Sequence, residues 1–512
     1  MTAVLGTIVA AYYTTLLLLS IYGAHRYSLL RLYYRHGPPD TRPPAPLDPL
    51  PVVTVQLPVY NERYVVERLI RAACALDYPP DRLEIQVLDD STDDTRNLAA
   101  DAVESMRRLG RDVVHLRRGD REGFKAGALA YGLARAKGDL IAVFDADFVP
   151  PPSFLLDLVH HFGDPRVGMV QARWGHLNRE YSVLTRIQSI YLDGHFVIEH
   201  AARHRAGCFF NFNGTAGVWR RACIVSAGGW QSDTLTEDLD LSYRAQLKGW
   251  EFVFLPGVTA PAELPADNDA FKTQQHRWTL GSIQTGRKLL PSILKAKLPR
   301  KVKMEAFFHL TNNSAYALMV LLAILIVPAV LARRALGLDW LMYLDLPLFF
   351  LSTLSVSTFY ICSQRELRQD WLGSLVYLPF LMSLGIGMSL NNARAVWGAW
   401  SRRRVEFLRT PKHSLEGTDG DWSRSSYRGS GHRAWTAAEM LLGIYFTGAS
   451  AYAIIAGNEA MLPFFLLFQM GYLYTSFLSL AQALRRRLEP ALLLRSFRER
   501  QKKRLDADPG AA

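Results

Sequence analysis

Apolar residues are spread very unevenly along these 512 residues: 1–24 and 305–483 are strongly apolar, whereas 50–300 alternates as a water-facing α/β domain does. A chain so divided does not bury both ends in one soluble core. It reads as a membrane protein that carries one large water-facing domain. Met1 to Ile21 is an apolar run of about bilayer-crossing length. A cleaved leader has positive charge before its apolar run and a small-residue cleavage site after it. Here no charge precedes the run, and Arg26, Arg31 and Arg35 follow it. The expectation is a retained anchor whose far end is cytoplasmic.

The net charge of +12 raises nucleic acid as a partner, but the arginines gather beside apolar segments (402–404, 485–487, 495–504) and no nucleic-acid motif is present. They read as cytoplasmic flanks attracted to anionic membrane lipids, with no nucleic acid involved. Cys74, Cys208, Cys223 and Cys362 give no pair at metal-ligand spacing and read as core thiols in a reducing compartment.

Within the water-facing part, expected strands at 52–57, 84–88, 113–116 and 140–144 each end in a polar or acidic loop: Pro58 to Glu62, Asp89 to Asp94, Arg121 to Gly127, and Asp145 to Asp147. One such loop is ordinary capping. Four in succession, separated by segments long enough for crossover helices, point to a ligand at the carboxyl ends of an open α/β sheet. Asp145 and Asp147, two apart, can bracket a hard divalent cation, Mg2+ or Mn2+, that also holds two phosphates of a leaving nucleotide diphosphate. Asp89 and Asp90 suit a base or ribose. Lys125, in a glycine-flanked turn, is open between a phosphate contact, ordering of the Asp145 loop and a solvated lysine.

A strand at 171–174 and a long helix at 181–203 are expected next. The stretch Phe209 to Gly217 mixes aromatics with Asn213, Gly214 and Thr215, either an acceptor-sugar loop or a turn with core phenylalanines. Thr234 and Glu237 have capping-box spacing before a helix that Gly249 ends, which puts Asp238 in the first turn. There the helix dipole favours the ionised carboxylate, the form that accepts a proton from a sugar hydroxyl. A good base also needs a raised pKa, which neighbouring Glu237 and Asp240 would help supply. Simple satisfaction of a helix N-terminus is the alternative for Glu237 and Asp238. After a strand at 250–255, Gln274, Arg277 and Trp278 stand at i, i+3 and i+4 and share one helix face. Arginine offers a fork for pyrophosphate, and tryptophan a stacking surface for a sugar.

Asp90, Asp145-Ala146-Asp147, Thr236-Glu237-Asp238 and Gln274-Gln275-His276-Arg277-Trp278 resemble the D, DxD, TED, QxxRW set of glycosyltransferase family 2 enzymes of the cellulose synthase superfamily. The resemblance covers roughly residues 50 to 300 and implies an α/β GT-A (Rossmann-like) cytoplasmic domain beside a multi-helix transmembrane region. It also implies inverting transfer from a nucleotide sugar, UDP-glucose or GDP-mannose. Asp145 and Asp147 would serve diphosphate and metal, Asp238 would be the general base with Glu237 beside it, and Gln274, Arg277 and Trp278 would hold pyrophosphate and acceptor. Asn213-Gly214-Thr215 and the QQHRW spelling look closest to mannan and xyloglucan-backbone synthases and their bacterial relatives. Phe407 to Lys412 is similar to the FxVTxK gating loop, with Arg409 in place of the valine; Thr410 and Lys412 would then meet the nucleotide.

The expected organisation is an anchor (1–24), a linker (25–50), the GT-A domain (51–290), an interfacial helix with two transmembrane helices and an interfacial or re-entrant segment (291–393), a cytoplasmic gating-like loop (394–433), a transmembrane hairpin (434–483) and a basic cytoplasmic tail (484–512). Six apolar stretches would put the basic 394–433 segment outside, against the positive-inside rule. The Gly- and Ser-rich 371–391 is therefore expected not to cross, leaving five crossings. The function expected is a processive synthase of a β-linked glucan or mannan that passes its product across the membrane; the bacterial inner membrane is the expected site, and a Golgi membrane would show the same orientation. The alternative is transfer of a single sugar to a lipid acceptor. A silent scaffold or transporter is disfavoured by intact Asp145, Asp147, Asp238 and Arg277.

Overall fold

Val53, Val55 and Leu57 alternate with Thr54 and Gln56, and all five are buried, as in a strand covered on both faces. The two polar side chains are satisfied across the ladder, Thr54 Oγ1 donating to Glu84 (2.7 Å) and Gln56 Nε2 to Gln86 (3.1 Å). Both pairs are register partners, so buried polarity here helps fix strand alignment.

The computed structural model describes residues 1–37, 44–368, 370–401, 409–420, 422, 433–457 and 459–507; of 433 and 486–507 only the backbone is described. In chain order the first half contains α1 (Thr2–His36), β1 (Val53–Val59), α2 (Val66–Cys74), β2 (Leu83–Asp89), α3 (Thr95–Arg108), β3 (Val113–Arg117), α4 (Phe124–Leu133), β4 (Leu140–Val143), α5 (Phe154–Val159), β5 (Val167–His176), α6 (Val183–Asp193), α7 (Ala201–Arg205), β6 (Gly217–Arg220), α8 (Arg221–Ser226), α9 (Glu237–Leu247), β7 (Glu251–Ala262) and α10 (Asn268–Lys295). The second half is helical: α11 (Arg300–Thr311), α12 (Ser314–Ala335), α13 (Met342–Leu367), α14 (Leu378–Gly387), α15 (Ser389–Gly398), α16 (Arg433–Ile455) and α17 (Leu462–Ala507).

The sheet runs β3-β2-β1-β4-β6-β5-β7. All its pairings are parallel except those of β6, which is antiparallel to β4 and β5. This is the GT-A arrangement, with apolar clusters on both faces of the sheet. The expected strands are present. The short β6 was not expected, because four residues carry too little alternation to read. Gly217 admits it: a Cβ there would lie 2.7 Å from the Val170 carbonyl of β5. The expected 181–203 helix is interrupted by a π-helical stretch, Gly194–His200.

Among the described residues, six helical segments are long and apolar enough to cross a membrane. One is Trp371–Gly398, which contains the segment expected to lie in the interface. It is built from a 3-10 stretch (Trp371–Tyr377), α14 and α15, broken at Met388. α14 packs on α17 and α6, and α15 on α10 and α12. The core of the sheet domain continues into the helical half: Leu29, Leu30 and Tyr33 of α1 and Leu381 and Leu384 of α14 join Ile187, Phe196 and Trp219. Apolar burial thus ties the sheet domain to the bundle.

Candidate active site

The carboxyl ends of β1, β2 and β4 open onto a pocket of ≈ 170 Å³. Tyr60 and Glu62 come from the loop after β1, Asp90 from the residue after β2, and Asp145 and Asp147 from the loop after β4. The opposite wall is Gln274, Arg277 and Trp278, one face of α10 as their spacing requires. Between these walls lie Lys125, Asn213, Gly214, Glu237 and Asp238, and Arg409, Thr410 and Lys412 cover them. Phe407 and Leu408 lie outside the described residues, as do Arg402 to Arg404.

Asp238 sits in the first turn of α9, as expected, but the capping box does not form. Glu237 is itself the first helical residue, Thr236 is the N-cap, and Thr234 Oγ1 turns to the Thr236 carbonyl. The tension over its pKa is resolved by magnitude. Burial, followed by the charge of Glu237, raises the Asp238 carboxyl to about 7, with Lys125 and the Leu239 amide opposing. A helix N-terminus offers only about 0.3–1 kcal/mol in favour of the ionised form, and burial with the charge of Glu237 outweighs it. Burial raises Glu237 as well.

Two lysines engage the paired aspartates. Lys125 Nζ lies 2.5 Å from Asp145 Oδ1 and donates to the Gly214 carbonyl at 2.8 Å. Lys412 Nζ lies 2.5 Å from Asp147 Oδ2. Of the three alternatives for Lys125, ordering of the Asp145 loop is therefore met. Arg277 is held below its ordinary pKa by burial, against the attraction of Asp145, Glu237 and Asp238. Trp278 faces Trp174 at 6.3 Å between ring centroids.

Two expected contacts are withdrawn from the pocket. Asp89 is buried beneath it, and its carboxylate accepts from His115 Nε2 (2.9 Å) and the Ser91 amide (2.8 Å). Burial alone would raise its pKa, but these hydrogen bonds outweigh it and hold Asp89 below its ordinary value. It is a support for the loop, not a nucleoside ligand. Thr215 is fully buried, and its hydroxyl accepts from the Asp145 amide at 2.9 Å, so it shapes the Asp145 loop instead of meeting an acceptor. Asp90 stays on the pocket wall, forked by Arg118 through Nε (3.0 Å) and Nη2. Sequence reading missed Arg118, Trp174, Glu263 and the pairing of Arg409 with Glu62 (2.9 Å). The usable signal was position: Glu62 and Glu263 follow the ends of β1 and β7.

For a divalent cation the protein offers two carboxylates, each engaged by a lysine through one oxygen and retaining the other. Among the described residues no group of three or more His, Cys, Asp or Glu is set to hold a metal. One or two carboxylates completed by substrate phosphates and water is how Mg2+ is commonly held, and the donor set fits that pattern.

A family model described as "Glycosyltransferase like family 2" matches residues 50–281. This domain belongs to glycosyltransferase family 2. Probable glucomannan 4-beta-mannosyltransferase 3 of Oryza sativa subsp. japonica is 42% identical over 287 residues, 54% of this chain and 52% of the relative. Glucomannan 4-beta-mannosyltransferase 2 of Arabidopsis thaliana is 43% identical over 257 residues, 49% of this chain and 48% of the relative. The chain thus spans about half the length of the curated relatives it matches. A solved mannosyltransferase from Pyrobaculum calidifontis, in complex with GDP-Man and Mn2+, is 21% identical with a TM-score of 0.48, covering 78% of this chain and 99% of that chain.

Proposed function

We propose that the chain is a processive, inverting mannosyltransferase that extends a β-linked mannan or glucomannan from GDP-mannose and passes it through its own helices. The observation that carries this is the meeting of Asp145, Asp147, Asp238 and the Gln274–Arg277–Trp278 face in one pocket, under Thr410 and Lys412. The relatives named glucomannan 4-beta-mannosyltransferases favour GDP-mannose over UDP-glucose. Asp238 takes the proton of the acceptor hydroxyl. The hydroxyl oxygen attacks the anomeric carbon as its bond to the diphosphate breaks, inverting that carbon. Arg277 and Lys125 meet the charge gathering on the diphosphate. Asp145 and Asp147 would hold Mg2+ or Mn2+, which supplies further positive charge to the leaving group when bound.

Passage of the product is supported by a second cavity of ≈ 240 Å³, which Phe271 and Gln275 of α10 help line. Gln188, Tyr191, Gln275, Asn312, Tyr316 and Tyr360 line it. Amides and tyrosines suit sugar hydroxyls and faces, and lipid alone would reject a glycan. The test is full-length chain in lipid nanodiscs with Mg2+ or Mn2+, labelled GDP-mannose and labelled UDP-glucose, with Asp238→Asn as control. Long β-mannanase-sensitive product absent from the control supports the reading. Label running with lipid as one discrete species moves the assignment to single transfer onto a lipid acceptor.

A further inference from the structure

Glu439 is the one Asp, Glu, Lys or Arg between Ala434 and Ile455 of α16, and its side chain is buried. A charge inside an apolar helix is costly and marks a functional requirement more often than a need of the scaffold. Its partner is Lys272 of α10, whose Nζ donates to Glu439 Oε2 at 2.6 Å and to Ser479 Oγ of α17 at 3.3 Å. The start of α10 is bonded to α17 at several further points. Asn268 Nδ2 donates to the Thr475 carbonyl (3.1 Å) and to Ser479 Oγ (2.9 Å), and the Asn268 backbone N–H donates to Gln482 Oε1 (2.8 Å). α15 holds the next turn. Asn391 Nδ2 donates to the Lys272 carbonyl at 3.0 Å, and His276 Nδ1 donates to the Asn391 carbonyl at 3.1 Å.

The same helix carries one wall of the pocket, since Gln274 follows Lys272 by two residues and Arg277 and Trp278 come a turn later. Farther along, α10 supports the loop that presents Asp238. A Cβ on Gly281 would lie 2.5 Å from Thr236 Cγ2, so the backbones meet closely there. Gln284 Oε1 accepts from the Leu235 amide at 3.0 Å, and Lys288 pairs with Asp240 at 2.9 Å. One continuous helix therefore joins α16 and α17, the diphosphate and acceptor wall, and the loop of the base. Stability alone does not call for the ion pair at its start, because well-packed apolar side chains often replace a buried pair at no loss.

Resting on the transferase reading above, we infer that Glu439, acting through Lys272, is a positioning residue that sets α10, and with it Arg277, Trp278 and Asp238, against the wall of Asp145 and Asp147. The alignment of the reacting groups is thus referenced to α16 and α17. Glu439 itself touches neither donor nor acceptor.

Full-length chain in nanodiscs with Mn2+ is given GDP-mannose and a β-1,4-linked manno-oligosaccharide. Glu439→Gln retains the side-chain shape and removes the charge. Its kcat is expected to fall about 10- to 100-fold, with donor KM within about threefold, as for a small misplacement of groups that act in the transition state. The apolar pair Lys272→Met with Glu439→Leu is expected to recover thermal stability but not kcat. The reversed pair Lys272→Glu with Glu439→Lys, which remakes the contact, is expected to recover most of kcat. An apolar pair whose kcat is restored along with its stability overturns the inference, because the contact would then be structural only. Amide hydrogen exchange on the same samples without donor is expected to quicken over residues 270–281 in Glu439→Gln and in the apolar pair, and to stay unchanged over β1 and β4. Unchanged exchange over 270–281 overturns the inference whatever the activity. A wild-type chain that turns over no GDP-mannose instead overturns the donor reading, and the exchange comparison then decides this inference by itself.

Discussion

Lys412 Nζ lies 2.5 Å from Asp147 Oδ2, with both side chains buried, so the covering segment 409–413 reaches the second carboxylate of the Asp-x-Asp pair directly. Asp147 holds the Lys412 ammonium above its ordinary pKa although burial opposes this. A cation seated on Asp147 shares that carboxylate with Lys412 or displaces it. The segment is anchored elsewhere too, by the His413 amide on Glu263 (2.8 Å) and the Gly417 amide on the Leu177 carbonyl (2.8 Å).

Lys412→Met is therefore expected to act in two directions. Loss of a charge-assisted contact to the nucleotide, worth about 1.5–3 kcal/mol, raises the donor KM at least about tenfold. Freeing Asp147 lowers the metal concentration that gives half-maximal rate. Parallel titrations of GDP-mannose and Mn2+ check both, and a raised metal requirement would contradict the competition.

Asp238→Asn removes the proton acceptor and leaves the side-chain shape. A fall in kcat of about 10²–10⁴-fold is expected, with donor affinity by calorimetry little changed. Comparable loss of donor binding would mean that Asp238 holds the donor rather than deprotonating the acceptor.

The pH profile follows from the same residue. Asp238 must be ionised to act, and burial with Glu237 lifts it to about 7. kcat/KM is expected to rise with pH through about 7 and level off above it. Glu237→Gln removes one cause of the rise and shifts the limb to lower pH. A limb at the ordinary carboxylate range, near 4, would remove Asp238 as the base.

Gly214 has φ +79°, and a Cβ there would lie 2.9 Å from Asp238 Oδ2. Gly214→Ala costs about 1–2 kcal/mol for the left-handed backbone and pushes directly on the base. A modest drop in thermal stability with a much larger drop in kcat is expected; equal proportional losses would mean that the strain is not felt at Asp238.

Five crossings remain our expectation, the N-terminal anchor and four in the helical half, with 371–391 not crossing. Glu459→Cys should be labelled by an impermeant thiol reagent from the outer face, and a C-terminal tag should be reachable only from the cytoplasmic face. A tag accessible only from outside would refute this arrangement.

Much of the site was legible because its parts are local. The strand-end positions of Asp90, Asp145 and Asp147, the first-turn place of Asp238, and the shared face of Gln274, Arg277 and Trp278 each depend on a few neighbouring residues, and the pocket contains all of them. The local reading failed where a side chain had a choice of partner. Asp89 had His115 one strand away, Thr215 had the Asp145 amide, and Thr234 left its expected cap.

The sequence by itself determined the division into an apolar helical half and a water-facing α/β domain, and the order of the strands' acidic ends, since both follow from hydropathy and periodicity along the chain. Only the tertiary structure decided the electrostatics. Lys412 and Asp147 are 265 residues apart, and Arg203 and Glu305 are 102 apart, so no spacing rule connects them. The pKa of Asp238 likewise depends on how much water the assembled walls exclude, a property of packing in three dimensions that no linear pattern carries.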